Sequence, residues 1–292
     1  MAVTAAPRHS RTSRPVLCLH RSGIAPSSDP GGRKISMLDL IVTQIAAVAL
    51  YASVWFLVAL KLRRNDVADV AWGAGFVALA LVAQFAAGAI SSRGILLLAL
   101  VTMWGLRLSL HIGLRNRGKP EDPRYRKWRE EWGRHATLRA YFQVFLLQGF
   151  LTVLILIPVT YTLAHQSSDL TWLDALGAAV WLVGFVFESV GDLQLARFKK
   201  DPRSRGRVIS SGLWKYTRHP NYFGEVTLWW GVWLIACSAP GGWKTVFGPA
   251  TITALILLVS GIPLLERKYA GNLEFKKYQR RTSAFFPLPP RQ

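Results

Sequence analysis

Asn221 and Glu225 stand four residues apart, immediately after Pro220, at the start of an apolar run. Proline suits the first turn of a helix, where its missing N–H would have found no partner. Residues at that spacing share one helix face. Glu188 and Asp192 are also four apart, close to the end of the preceding apolar run. The joining segment, "LARFKKDPRSRGRVISSGLWKYTRHP", supplies the cations, with Lys215, Arg218 and His219 at its end. Together these residues suit an anionic ligand that also carries amides and hydroxyls. Arg and Lys would take phosphate oxygens, while the carboxylates and Asn would take the hydroxyls and amides. The bland alternative is a set of interfacial charges that reach for water and pair with their own loop. For Asp192 alone that alternative is preferred; for the four together, with Gly212 and Gly224 beside them, the cost of placing ionisable groups in an apolar segment argues for function.

Two further sets invite chemistry. In "RRNDVADVAWGAGF", Asp66 and Asp69 are three apart, with Trp72 the next turn along. A carboxyl group carried into a membrane helix can be held neutral and then donate a hydrogen bond to a carbonyl oxygen. Alternatively, Asp66 is the acid expected at a helix N-terminus. Arg107 and His111, four apart, lie within the next apolar run, too deep for a loop charge. Asp69 or a substrate oxygen is the expected partner of Arg107. The Trp- and Arg-rich stretch 124–134 reads as an interfacial amphipathic segment, and His135 and His165 as surface residues. Cys18 and Cys237 have no metal-like spacing, so neither a zinc site nor a disulfide framework is expected.

The elements that must position these groups are membrane helices. The chain has 292 residues, 51% of them hydrophobic, with 12 Trp and a net charge of +20. Uninterrupted apolar runs combined with that charge exclude an ordinary soluble domain and argue against nucleic-acid binding. Seven such runs follow one another at about 38–60, 67–90, 94–114, 141–164, 170–194, 222–238 and 246–265. Each is near the length that crosses about 30 Å of hydrocarbon, the sixth being short. Of the 36 Lys and Arg residues, 27 fall in alternate loops and the C-terminal tail, against Arg93 and Lys244 in the opposite loops and six more in residues 1–36, which fall on that opposite side and conflict with the positive-inside rule. The excess places the basic loops and the C-terminus in the cytoplasm. Residues 1–36 are rich in Arg, Ser, Pro and Gly and read as a disordered leader, with Met37 the expected true start. The remainder, 37–292, reads as one membrane domain, all-α and polytopic.

The segment from Glu188 through "SGLWKYTRHPNYFGE" to "FKKYQRRTSAFFP", together with "RNRGKP", resembles the C-terminal superfamily of steroid 5-alpha-reductases, and within it the bacterial DUF1295-type membrane enzymes. The resemblance implies a seven-span enzyme in the bacterial cell membrane that uses NADPH to reduce a carbon–carbon double bond conjugated to a carbonyl. Its substrate would be lipophilic (sterol-like, isoprenoid or fatty-acyl) and would enter from the bilayer. It further implies that Glu188, Asp192, Asn221 and Glu225 face the cofactor, that Lys199 and Arg207 lie near its phosphates, and that Arg267 and Tyr278 belong to a closing tail. The steroid enzymes carry a Gln–Glu pair in span two and a Tyr in span three. This chain has Asp66 and Asp69, and near the tyrosine position Trp104 and Gly105, so a steroid is not implied. On the substrate side, a protonated Asp69 is the expected donor to the carbonyl oxygen, with Arg107 as helper. The "RHPNY" turn is also similar to the isoprenylcysteine carboxyl methyltransferases, which use S-adenosylmethionine. A non-catalytic lipid-binding or transport protein is a third reading; the absence of a visible repeat, and a polar cluster at one end of the spans, argue against transport.

Overall fold

The computed structural model describes residues 35–165 and 169–291. Residues 1–34 of the expected leader lie outside the described residues. Long helices dominate: α1 (Met37–Leu62), α2 (Val67–Ala87), α3 (Ser92–Asn116), α8 (Trp172–Lys200) and α9 (Pro220–Ala236). Between α3 and α8 the chain forms α4 (Pro123–Trp132), α5 (Ala136–Ala140), α6 (Leu147–Ile155) and α7 (Ile157–Ala164). After α9 come α10 (Phe247–Ala254), α11 (Ile262–Lys268) and α12 (Leu273–Arg281).

Among the described residues, six helical stretches are long and apolar enough to cross a membrane. The helix expected to be short is α9, with 17 residues. The chain is a multi-pass, all-α membrane protein. One boundary differs from expectation: the fourth stretch begins at Pro123 and runs to Ile155, so the Trp- and Arg-rich segment is its first turns. A π-helical stretch at Tyr141–Leu146 lies within it, and Pro158, in the first turn of α7, cannot donate a backbone hydrogen bond and accompanies the break at Leu156. Local signals set the other ends. Ser36 and Asp39 form a capping box on α1, Thr171 and Asp174 form one on α8, and Pro220 opens α9 as predicted.

The packing that positions the site is the antiparallel pair α8 and α9. Gly177 and Gly184 on α8 face Gly231 and Gly224 on α9, and Gly191 faces Pro220 and Asn221. A Cβ at Gly184 would stand 2.6 Å from the Gly224 carbonyl oxygen, and one at Gly231 would stand 2.6 Å from that of Gly177. Only glycine lets the two backbones approach so closely, the usual means of helix association where lipid supplies no hydrophobic drive. Beside this pair an aromatic cluster of Phe76, Trp104 and Trp229 fills the centre, with centroids 4.9–5.2 Å apart. The basic segments 63–66, 117–122, 201–219 and 269–291 gather at one end of the bundle. There Arg64 donates to the Lys119 carbonyl at 3.2 Å, and Thr217 bridges to Ser283.

Candidate active site

Arg107 on α3 projects between Glu188 and Asp192 on α8. Its Nη2 donates to Glu188 Oε1, and its Nη1 to Asp192 Oδ2 at 2.7 Å. The expected Arg107–Asp69 pair does not form. Four-residue spacing puts both α8 carboxylates on the face turned to α3, where they hold both terminal nitrogens of the guanidinium. Arg107 Nε is buried without a hydrogen-bond partner. The second oxygen of Glu188 accepts from the Trp104 indole at 2.9 Å. The second oxygen of Asp192 accepts from the Asn221 amide at 3.3 Å, and His111 Nε2 stands 3.8 Å from Asp192 Oδ2. Glu225, one turn along α9, lies within electrostatic reach of Arg107 and Asp192, with the Trp72 indole as its side-chain donor.

The four residues singled out from spacing, Glu188, Asp192, Asn221 and Glu225, thus lie together around Arg107. Three carboxyl groups surround one guanidinium in a membrane helix bundle. A buried charge needs partners to repay its desolvation, so this surplus of acceptors has room for donor groups from a ligand.

Asp66 and Asp69 belong to a separate cluster. Asp66 stands just outside α2, held by Arg64 at 2.6 Å and by the Asp122 backbone N–H at 3.0 Å, which is the position of the helix-end acid. Asp69 accepts from the Tyr125 hydroxyl at 2.6 Å and from Arg124 at 3.3 Å. Both its oxygens have partners within the protein, Tyr125 and Arg124. Spacing alone missed Tyr125 and Arg124, because they reach α2 only through the fold. In this network Asp122 is pulled up by burial but held below its ordinary range overall by Arg124.

Next to the carboxylate cluster, at the basic end of the bundle, lies a cavity of about 390 Å³. Leu195, Phe198, Ile209, Leu265 and Phe275 give it apolar walls, while Lys199, Arg205 and Arg207 bring cations to it. The expected Lys199, Arg207 and Tyr278 all line it, whereas Arg267 is not among its lining residues. The Tyr278 hydroxyl is already used, donating to the Trp214 carbonyl, and burial pushes it well above the ordinary phenol value. Gln194 fixes the loop by accepting from Leu213 N–H at 3.0 Å. The tail closes over it, Leu288 N–H donating to the Tyr216 carbonyl at 3.0 Å. His219 also lines the cavity. Its partner Glu266, at 3.1 Å, had no signal in the sequence. Among the described residues, no group of three or more His, Cys, Asp or Glu residues is arranged to hold a metal ion.

Residues 55–282 match the family model described as "Protein of unknown function (DUF1295)". The chain is similar to the 3-oxo-5-alpha-steroid 4-dehydrogenase 1 of Mus musculus, 35% identical over 79 residues, 27% of this chain and 30% of the relative. The Rattus norvegicus protein of the same name is 34% identical over 80 residues, again 27% of this chain and 30% of the relative. The "Probable O-methyltransferase ustE" of Ustilaginoidea virens is 38% identical over 55 residues, 19% of each chain. The chain thus spans under a third of the length of each of these relatives. No solved structure matches.

Proposed function

The chain belongs to the DUF1295 family, and from that membership and the geometry of its site we propose that it is a membrane reductase. It would use NADPH to reduce a carbon–carbon double bond conjugated to a carbonyl in a lipophilic substrate. The observation that carries the reading is the adjacency of two unlike regions: an intramembrane cluster with more acceptors than cations, and a basic, partly aromatic cavity at the same end. A nicotinamide dinucleotide needs both. NADPH, when bound, supplies a hydride. Lys199, Arg205 and Arg207 would hold phosphate oxygens. Glu188, Asp192, Asn221 and Glu225 would hold the amide and ribose hydroxyls and orient the reactive ring. Arg107, whose Nε has no partner, would donate to the oxygen on which negative charge develops. This transfers the oxyanion role from Asp69 to Arg107, with Asp69 kept as a positioning residue through Tyr125.

The substrate would approach from the bilayer. A narrow gap of about 20 Å³ between α1, α2 and α6 is lined by Tyr51, Trp55, Trp72 and Gln148, and Trp72 is also the donor to Glu225. The basic end is proposed to face the cytoplasm of a bacterial cell, since 27 of the 36 Lys and Arg residues lie there.

The acid surplus supports a second reading, because a sulfonium cation would suit it and one relative is named as an O-methyltransferase. Melting curves of the purified chain in detergent separate the two. NADPH at a hundredfold excess over its Kd should stabilise the protein by about 2.7 kcal/mol, with little shift from S-adenosylmethionine, which has no phosphates for Lys199 and Arg207. The reverse pattern would replace the reductase by a methyltransferase.

A further inference from the structure

The C-terminal tail that follows α12 turns apolar side chains outward at the basic end of the bundle. Phe286 is 64% exposed and Leu288 50% exposed, beside Tyr216 at 43%. Pro287 and Pro289 hold the residues before them, Phe286 and Leu288, in extended conformation. The loop before α9 fixes the tail in place. The Thr217 hydroxyl donates to the Phe285 carbonyl at 2.8 Å, the Arg218 N–H to the Ser283 carbonyl at 2.9 Å, and the Leu288 N–H to the Tyr216 carbonyl at 3.0 Å. Large apolar groups are thus held out from the protein on an ordered surface, and such a patch marks a contact that the isolated chain lacks.

Depth identifies that contact. About twenty residues of α8 counted from Trp172, at 1.5 Å each, cross roughly 30 Å of hydrocarbon and end near Gly191. Pro220 packs on Gly191, 3.1 Å from where a Cβ would stand. Helix α9 therefore enters the membrane at that level, and Phe223 lies about one turn inside it. The Phe223 ring meets Phe187 of α8 at 5.0 Å and Phe285 and Phe286 of the tail at 5.6 and 6.3 Å. Phe187 shares a face with Val183, four residues earlier, which is exposed on the outside of the bundle. The tail patch thus continues the lipid-facing surface of α8 and α9 at the edge of the hydrocarbon, where aromatic side chains concentrate.

The charges at its rim specify which lipid. Lys215, Arg281 and Arg291 are exposed. The Lys215 ammonium stands 6.0 Å from the centre of the Tyr216 ring, and the Arg291 N–H donates to the Arg281 carbonyl at 2.8 Å. Among the described residues none of these three cations has a carboxylate partner. Their stems can lie along the apolar patch while the charged heads meet phosphate. We propose that Tyr216, Phe286 and Leu288, with Lys215, Arg281 and Arg291, form a docking surface for the anionic phospholipids of the leaflet at the basic end. Each cation near such a leaflet contributes about a fivefold preference over neutral lipid. The surface would serve a reductase or a methyltransferase alike.

The test places a fluorophore on Leu288→Cys, and separately on Phe286→Cys, in the full chain carrying Cys18→Ser and Cys237→Ser. Lys200→Cys, at the end of α8 and nine residues past Gly191, is the water-exposed reference, about 13 Å farther from the bilayer centre. Each protein is placed in nanodiscs of phosphatidylcholine alone, or of phosphatidylcholine and phosphatidylglycerol in equal parts. Quenching by acrylamide, which is uncharged and stays in water, reads how far the leaflet covers the label. In the anionic discs both tail labels should be quenched about threefold to tenfold less than the reference, and in phosphatidylcholine alone this shielding should weaken. Replacing Lys215→Gln, Arg281→Gln and Arg291→Gln together should remove the difference between the two compositions. Tail labels as open to acrylamide as the reference in the anionic discs overturn the proposal, as does equal shielding in both compositions. A lipid dependence that survives in the triple variant also overturns it, because the cations would then play no part. The two tail labels replace exposed side chains, so either one decides between the compositions if another variant misfolds.

Discussion

Helices α3 and α8 share two arginine–carboxylate contacts, one toward each end, and they are built on opposite principles. At the outer end Arg93 and Asp174 are both almost wholly buried and paired twice, at 2.7 and 2.9 Å. Arg93 donates in addition to the Asp169 carbonyl at 2.7 Å, and Asp174 also accepts from the backbone and hydroxyl of Thr171. One cation meets one anion, and the remaining lone pairs of the carboxylate go to the cap of α8. Toward the basic end, Arg107 meets Glu188 and Asp192 with Glu225 close by, and its Nε is left over. The first contact is a closed account of charge and donors; the second is open. A buried pair that is closed fixes geometry, and an open one has capacity for a ligand.

The largest expected effect comes from opening the closed pair. Asp174→Ala leaves Arg93 without its carboxylate and should cost about 3–5 kcal/mol of stability, read from unfolding in detergent. Replacing both partners together, Arg93→Met with Asp174→Leu, should restore most of the loss. If Asp174→Ala melts like the wild-type protein, the outer pair does not hold the bundle and the contrast collapses.

Changes at the open cluster should separate stability from activity. Arg107→Met is expected to lower turnover on the order of 10² to 10³, comparable with loss of one oxyanion donor. Glu225→Gln removes one of the surplus carboxylates. It should weaken NADPH binding while the melting temperature stays level or rises, the usual sign of a site that trades stability for function. A Glu225→Gln protein destabilised as much as Asp174→Ala would show both clusters to be structural.

A smaller effect refines the comparison at the Arg218–Glu266–His219 network, which balances charge like the outer pair yet leaves Nδ1 unpaired like the inner one. His219 has its value lowered in the fold, so below an ordinary imidazole value of about 6.5 the unfolded chain binds the extra proton first. Stability should therefore be full above that pH, fall as the pH drops toward the folded value, and then level off. Melting temperatures between pH 5 and 8 would show the slope, and His219→Asn should flatten it. An identical slope in the variant would assign the pH response to other groups.

Much of this arrangement was legible because it repeats along one helix. Pro220 as the first residue of α9, and the shared faces of Glu188 with Asp192 and of Asn221 with Glu225, follow from spacing alone. So does the gathering of basic loops at one end, since apolar runs of fixed length return the chain to the same side. The partner of Arg107 was not legible. Asp69 and the α8 carboxylates are equally plausible in the sequence, and only the packing of α3 on α8 decides between them. Tyr125 and Arg124 likewise became the neighbours of Asp69 because α4 packs against the first turn of α2, a long-range contact with no periodic signature.

The sequence by itself thus determined the membrane class, the start of α9 at Pro220 and the chemical types at the site, since these depend on hydropathy, capping and spacing within a single element. The tertiary structure decided which carboxylates hold Arg107, which nitrogen of His219 is left unpaired, and that Glu266 stands beside it. Those facts depend on distances between helices, and such distances are set by how closely backbones can approach. In α8 and α9 the facing glycines let them approach closely enough to bring Asn221 and Asp192 within a hydrogen bond of each other.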